Sequence, residues 1–274
     1  MQQWIGREET AEDIVTSQPV AALAATLDRE DAAPRTGDAL PPLWHWLYFL
    51  PVHKQSELGE DGHPKLGGFL PPVPLPSRMW AGSRLEFHHP LRLGEALTRR
   101  SRIEEVKQKQ GRSGPLVFVL VRHEISNAHG VAISEEHDIV YRPHPAPTSP
   151  PAEPKPAPAT PAWERRIDPD DVLLFRYSAV TFNAHRIHYD RRYCTEVEHY
   201  PGLVVHGPLL ATLLLDLLRR QLPEARVRRF AFRAVSPLFD TSPFFVCGQP
   251  AAGEVHLWAR NSAGALAMDA TAAI

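Results

Sequence analysis

The sequence predicts an α+β fold of two halves, each an antiparallel sheet wrapping a central helix. Three observations carry that expectation: a proline-rich segment near the middle of the chain, strand-like composition on both sides of it, and one helical stretch that is apolar almost all round. With 274 residues, 43% of them hydrophobic, the chain is long enough for two modules of about 100 to 150 residues with cores of their own.

The middle segment, residues 143–161, reads PHPAPTSPPAEPKPAPATP, and nine of its 19 residues are proline. A run so poor in backbone donors packs no core and favours extended polyproline II geometry. It divides the chain into an amino-terminal module (1–142), a tether (143–162) and a carboxy-terminal module (163–274).

Before the tether, Arg84–His89, Leu97–Val106, Pro115–Ser126 and Val131–Tyr141 are rich in β-branched and aromatic residues. Turn signals at Gly111–Gly114 and Asn127–Gly130 separate the later ones, as in an antiparallel meander. After the tether, Val172–Val180, Arg228–Ser236, Pro243–Cys247, Glu254–Arg260 and Ala265–Ala273 have the same character.

The informative helix opens at Gly207-Pro208, runs through LLATLLLDLLRRQL and stops before Pro223. Proline suits a first helical position, and Arg219 and Arg220 complement the carboxyl-end dipole. Apart from Thr212 and Asp216, Leu209–Leu218 has no polar face, which predicts a helix inside the fold. In the first half, Gln18–Leu27 is the best helix candidate. Pro41–Leu50 is an aromatic-rich segment, either a second short helix or a pocket wall, and its Trp44–Phe49 cluster is a candidate cover for an acyl group.

Composition excludes several function classes. Thirty Lys+Arg against 32 Asp+Glu give a formal net charge of −2, no global excess to draw the protein to nucleic acid. Cys194 and Cys247 are too few for a disulfide framework or a thiolate zinc site, and point to a reducing compartment. The amino terminus has no apolar h-region, and the most apolar run, Leu203–Leu218, is broken by His206, Pro208 and Asp216. These features predict a soluble, cytoplasmic protein without a membrane partner.

The chemistry-bearing segments are TFNAHRIHYD (residues 181–190) and PGLVVHGP (residues 201–208), just ahead of the buried helix. Asn183, His185 and His188 are compactly spaced there. On spacing alone, ordinary solvated loop histidines remain the competing reading. The segments resemble the signature of MaoC-like (R)-specific enoyl-CoA hydratases and dehydratases, a loop of the form G-D-x-N-P-x-H followed by an HG step into the central helix. The strings YSAVTFNAHRIHYD and YPGLVVHGPLL, with WIGR, RMWAGSRLEFHHPLRLGE and GRSGPLVFVLVRHEI in the first half, are closer still to the double-hotdog branch. That branch holds the mesaconyl-CoA and itaconyl-CoA hydratases and the mitochondrial 3-hydroxyacyl-ACP dehydratase. The resemblance covers most of the chain outside the tether.

It implies reversible hydration of a short α,β-unsaturated acyl-CoA, of the branched dicarboxylic mesaconyl- or itaconyl-CoA type, or alternatively dehydration of a 3-hydroxyacyl-ACP. No cofactor is implied, and the acyl-CoA is the small-molecule partner of a monomer or a homo-oligomer built through the hotdog sheets. Against the general pattern Asn183 stands at the aspartate position and His185 at the asparagine position, while His188 keeps the histidine. An amide cannot act as a general base. His188 is therefore the expected acid/base group, Asn183 orients water or holds substrate, and the Gly207 backbone N–H is the expected oxyanion donor.

Asp190 and His185 are candidate supports, Asp190 by supplying the missing carboxylate or fixing the His188 tautomer. Arg186, Tyr189, His206 and Arg233 are candidate substrate-binding residues, the two arginines for a free substrate carboxylate. Arg84, Arg112, Arg228 and Arg229 are unranked candidates for the CoA diphosphate. No FNAHRIH-like string precedes Pro143, so the first half is expected to shape the substrate channel without a catalytic loop. Competing functions are a hotdog thioesterase, a non-catalytic acyl-thioester binder, and a metal hydrolase using His185 and His188 with Cys194, His199 or His206.

Overall fold

The computed structural model describes residues 1–111, 114–143 and 153–274. Ten strands form one antiparallel sheet: β1 (Glu8–Ile14), β2 (Ser77–Phe87), β3 (Ala96–Gly111), β4 (Gly114–Asn127), β5 (Gly130–Arg142), β6 (Trp163–Ile167), β7 (Arg229–Ala234), β8 (Phe244–Ala251), β9 (Glu254–Asn261) and β10 (Leu266–Ala273). Their order is β1-β3-β4-β5-β2-β7-β10-β9-β8-β6. The α+β expectation holds, with one refinement: the two half-sheets are continuous.

They join where β2 pairs with β7, from Gly82 opposite Arg233 to Glu86 opposite Arg229. The joint requires a glycine. A Cβ on Gly82 would lie 2.5 Å from the Phe232 carbonyl oxygen, well inside van der Waals contact. Leu85 and Phe230 pair across the same joint and are both buried, so the inner face carries the core of one half directly into the other.

The expected buried helix is present as Gly207–Gln221, and all ten residues from Leu209 to Leu218 are buried. It packs against β6, β8, β9 and β10. The first-half candidate also forms a helix, α1 (Ser17–Thr26), with Val20, Leu23 and Thr26 buried.

One expected strand is a helix instead. Val172–Val180 lies within α2 (Asp171–Val180), and the buried Gly207–Gln221 helix is accordingly α3. The Asp170 side chain accepts the Leu173 N–H at 2.8 Å, an N-cap, and Leu174, Tyr177 and Ser178 are buried at helical spacing against the core. Capping and burial outweigh the strand-like composition, and α2 packs against α1. The strand that opens the second half, β6, is short and charged, as is β1; these two, at opposite edges of the sheet, escaped the compositional reading.

Pro41–Leu50 contains a single 3₁₀ turn at Trp44–Leu47 and is core material. His45 Nε2 lies 3.0 Å from Glu135, Trp46 Nε1 donates to it at 3.1 Å, and His137 Nε2 lies 2.6 Å from it. Burial works to raise the Glu135 pKa, but these partners, His137 first, hold it well below the usual carboxylate range. Of the tether, residues 144–152 lie outside the described residues. Its later part is tied down: Ala157 N–H donates to Gly264 O at 2.9 Å, and Leu266 N–H donates to Lys155 O at 2.8 Å.

At the carboxyl end of α3 the buried Asp216 carboxylate accepts from Arg29 (2.5 Å), Arg165 (2.7 Å) and Arg220 (2.8 Å). Arg165 and Arg220 also donate to the Leu27 carbonyl just beyond α1. One carboxylate thus fastens α1, β6 and α3 together. Removing one partner of such a buried set strands the others, at a cost of about 3 to 5 kcal/mol. Asp216→Ala is therefore expected to lose stability of that order in urea unfolding, whereas a loss under about 1 kcal/mol would mean the cluster is no better than a surface pair.

Candidate active site

The loop that follows α2 is shaped by backbone bonds. Asn183 N–H donates to Ser178 O at 2.8 Å, closing the helix end, and Phe182 takes a left-handed φ of 49° to reverse the chain. Asn183 Oδ1 then accepts the His185 N–H at 3.0 Å. A 3₁₀ turn at Arg186–His188 delivers His188 to the interior, where it is 8% exposed.

His188 Nδ1 lies 2.7 Å from the Val204 carbonyl oxygen. A carbonyl only accepts, so Nδ1 carries the proton and Nε2 is left bare as an acceptor. Nε2 has no partner among the described residues and is not among the sealed polar atoms. The strand-like segment bearing Val204 is fixed in return, since Val204 N–H donates to Ile187 O at 2.9 Å.

Behind His188 stands His206, whose ring stacks on it with centroids 3.7 Å apart and planes 18° apart. His206 is fully buried, and its Nε2 lies 2.8 Å from Ser178 Oγ. It is the residue before Gly207, so the stack sets the His188 ring beside the first turn of α3. The Gly207 N–H belongs to the group of donors a helix leaves without intrahelical acceptors, and no acceptor for it is found among the described residues. Helix direction adds partial positive charge there. His188, His206 and Gly207 are therefore brought together, while Asn183 sits at the start of the loop that delivers His188.

The remaining expected residues have other partners. Asp190 does not reach His188: Oδ2 accepts from Arg186 Nη2 at 2.7 Å and Oδ1 accepts from Tyr193 N–H at 3.0 Å. The Val204 carbonyl does the tautomer-fixing assigned to it. Arg186 is committed to Asp190, to the Glu60 carbonyl at 3.1 Å and to the face of Tyr193. Arg233 lies on the outer face of β7, exposed, because its neighbour Phe232 takes the inner face. Tyr189 is half-exposed and donates to Ala184 O at 3.0 Å, bracing the loop from outside. His206 is sealed behind His188, in no position to touch substrate.

Of the CoA candidates, Arg84 is paired with Glu136 and Asp138 and Arg228 with the Ile274 carbonyl; Arg229 is exposed, and Arg112 lies outside the described residues. The ligand set of the competing metal-hydrolase reading does not assemble among the described residues. His199 is exposed, and Cys194 donates to Gly202 O at 2.9 Å with its thiol pushed up to about 11, by burial first.

The first half contributes more than a wall. Asp61 and His63 lie against the loop: the His63 ring centroid is 4.0 Å from that of His185, which is 5.3 Å from that of His188. Asp61 Oδ2 is 2.9 Å from His63 Nδ1. Ligand atoms of Asp61, His63 and His185 lie within 4.8 Å of one another, close enough to share a cation, though an ion would have to displace the Asp61–His63 bond. The only sequence signal for this pair is the compact Asp61-Gly-His63 string in a segment with no helix or strand pattern.

Burial pushes the His188 imidazole down to about 4, opposed by the Val204 bond and helped by His63. Burial also lowers His185, to about 2, and His206, in both cases aided by neighbouring imidazoles. The site is thus a set of neutral rings at pH 7. A cavity of about 290 Å³ lined by Trp44, His45, Phe87, Leu215 and Arg219 lies toward the other end of α3. It is at least about 12 Å from Gly207 along the helix axis.

Residues 43–240 match the hydroxyacyl-thioester dehydratase type 2 family. The chain is a member of that family. It is 50% identical to the mesaconyl-C(4)-CoA hydratase of Chloroflexus aurantiacus over 268 residues, 98% of this chain and 95% of that one. It is 30% identical to the mitochondrial hydroxyacyl-thioester dehydratase type 2 of Schizosaccharomyces pombe, over 86% of this chain and 88% of that one. Among solved structures, a MaoC-like dehydratase superposes with a TM-score of 0.74 at 14% identity, covering 100% of this chain and 98% of its own. A double-hotdog protein of Mycobacterium tuberculosis superposes at 0.60 with 13% identity, over 98% and 96% of the two chains. The fold is the double hotdog, and the protein is a hydro-lyase acting on acyl thioesters. No helix among the described residues is long and apolar enough to cross a membrane.

The His188 state has a measurable consequence. Its folded pKa, about 4, lies below the ordinary value of about 6.5. Between those values the unfolded chain binds a proton that the folded chain does not, so this group's contribution to stability is lost as pH falls through the window. A ¹⁵N NMR titration is expected to place the His188 midpoint near 4. A midpoint at the ordinary value of about 6.5 would mean the ring is not held buried and neutral.

Proposed function

We propose that the protein reversibly hydrates a short, branched, dicarboxylic enoyl-CoA of the mesaconyl-CoA type, in the cytoplasm. The observation that carries the reaction is the bare Nε2 of His188 beside the first turn of α3. The identity to mesaconyl-C(4)-CoA hydratase over nearly the whole of both chains supports the substrate class.

His188 Nε2 takes a proton from water as the oxygen bonds to the β-carbon of the conjugated thioester. Electron density moves to the thioester oxygen, where the Gly207 N–H and the α3 dipole stabilise the enolate charge. The imidazolium then returns that proton to the α-carbon and the carbonyl reforms. Both hydrogens and the oxygen of water end on the product, and the neutral imidazole is regenerated. Dehydration is the reverse. Enclosure of His188 keeps the imidazole neutral at pH 7, the state the first step needs.

With Arg186 bound to Asp190 and Arg233 on the outer face of β7, Arg78 on β2 is our candidate for the substrate's free carboxylate. It pairs directly with the fully buried Tyr141, so it stands on the inner face of the sheet, and it is close enough for its charge to lower His63 and His185. No carboxylate partner for it is found among the described residues. Its strand also carries Trp80, whose carbonyl oxygen is 4.0 Å from the place a Gly207 Cβ would occupy.

The test is a panel of enoyl-CoA esters, with and without a second carboxylate, followed by loss of conjugated thioester absorbance. A 3-hydroxyacyl thioester is the expected product, whereas stoichiometric free CoA would mark a thioesterase and binding without turnover a carrier module. His188→Ala is expected to lower kcat about a hundredfold or more; near-normal hydration would remove His188 from the mechanism. Arg78→Gln is expected to raise KM for the dicarboxylic esters about tenfold or more, the effect of losing a charged hydrogen bond, while leaving monocarboxylic esters unchanged. Equal changes for both classes would put Arg78 outside the specificity pocket.

A further inference from the structure

We propose that Asp61 and His63, carried by the first half, form a second hydrogen-bond-accepting unit of the active site, with His63 Nε2 accepting a hydrogen bond from the other O–H of the attacking water and Asp61 fixing the imidazole tautomer. The inference rests on the hydratase reading. A water that gives one proton to His188 must have its second O–H held if its lone pair is to face the β-carbon. The loop offers no carboxylate for this. Asn183 Oδ1 already accepts the His185 N–H, and Asp190 is taken by Arg186 and Tyr193.

Asp61 and His63 have the required arrangement. Ionised Asp61 accepts from His63 Nδ1–H at 2.9 Å, which leaves Nε2 as an acceptor with no partner among the described residues. The unit is the same in kind as His188 on Val204: an imidazole with Nδ1 tied and Nε2 bare.

The pair is also seated against the loop. Arg186 N–H donates to Asp61 O at 2.9 Å and Arg186 Nη1 to Glu60 O at 3.1 Å. Between Asp61 and His63, Gly62 has a φ of +88°, and a Cβ there would lie 1.9 Å from Ala184 O. Two segments 122 positions apart in the chain therefore meet without room for a side chain between them. The His63 ring rests on His185, which meets His188 edge to face. The charged and titratable groups around His63 are Asp61, His185, Arg78 and, one ring further, His188. Burial lowers the His63 pKa, Arg78 adds to this, and Asp61 opposes it, so that the ring is a neutral acceptor.

Three variants test the assignment in the full-length protein: Asp61→Asn, His63→Leu and His63→Gln. The expected result is a fall in kcat of about tenfold or more for Asp61→Asn and His63→Leu with KM little changed, and partial rescue in His63→Gln, whose amide oxygen can still accept. A bracing role would move KM and thermal midpoint together and would not distinguish Leu from Gln. Wild-type kcat in His63→Leu, or equal losses in the Leu and Gln variants, overturns the proposal. Should a variant fail to fold, ¹⁵N NMR of the wild-type protein decides: His63 is expected as the Nδ1–H tautomer, with its Nε2 signal shifting when a saturated acyl-CoA is added. No shift overturns the pair. If the wild-type protein hydrates no enoyl thioester at all, the functional reading fails separately, and the same NMR measurement still reports on the pair.

Discussion

A helix with no polar face sets the terms for everything around it. Leu209–Leu218 of α3 is buried throughout, so the sheet has to close round the helix and only its ends can do polar work. At the carboxyl end that work is structural: Asp216 draws in three arginines, from β6, from α3 itself and from the loop beyond α1. At the amino end it is the catalysis we propose. The unpaired N–H groups and the positive end of the dipole emerge beside His206 and His188, inside the protein and away from bulk solvent, where electrostatic stabilisation is strongest.

Much of this was legible in the sequence because it depends on local pattern. The apolar run with Gly207-Pro208 at its start marks α3, the β-rich runs mark β2–β5 and β7–β10, and the Asn183–His188 loop follows from its resemblance to known hydratases. The failures have physical reasons. Val172–Val180 looks like a strand by composition, but the Asp170 cap and burial at helical spacing make it α2. The edge strands β1 and β6 carry too many charges to show an alternating apolar pattern. Arg233 is a candidate by charge and Asp190 by charge and closeness to His188, yet the face of β7 and the grip of Arg186 direct them elsewhere. Asp61 and His63 join the loop through a contact between distant segments, which no local pattern encodes.

The two halves divide the labour unequally without being separable. The β2–β7 joint makes one inner face of two sheets, and across it the first half presents Trp80 beside Gly207 and the 60–63 segment beside the loop. Its own interior is organised round a different ion, Glu135, enclosed by His45, Trp46 and His137. A buried anion satisfied on several sides is costly to disturb, and it gives the first half a rigid centre from which to hold its contacts with the second.

The two outermost strands complete the logic of the sheet. β1 carries Glu8, Glu9, Glu12 and Asp13 among its seven residues, and β6 carries Glu164, Arg165 and Arg166 among its five. Open strand rims invite another chain to zip on, and ionic side chains are a usual deterrent to such templated growth. Here both rims are short and ionic, so accretion of copies rim to rim into fibrous aggregates is disfavoured, and any higher assembly is directed to the broad flanks of the sheet.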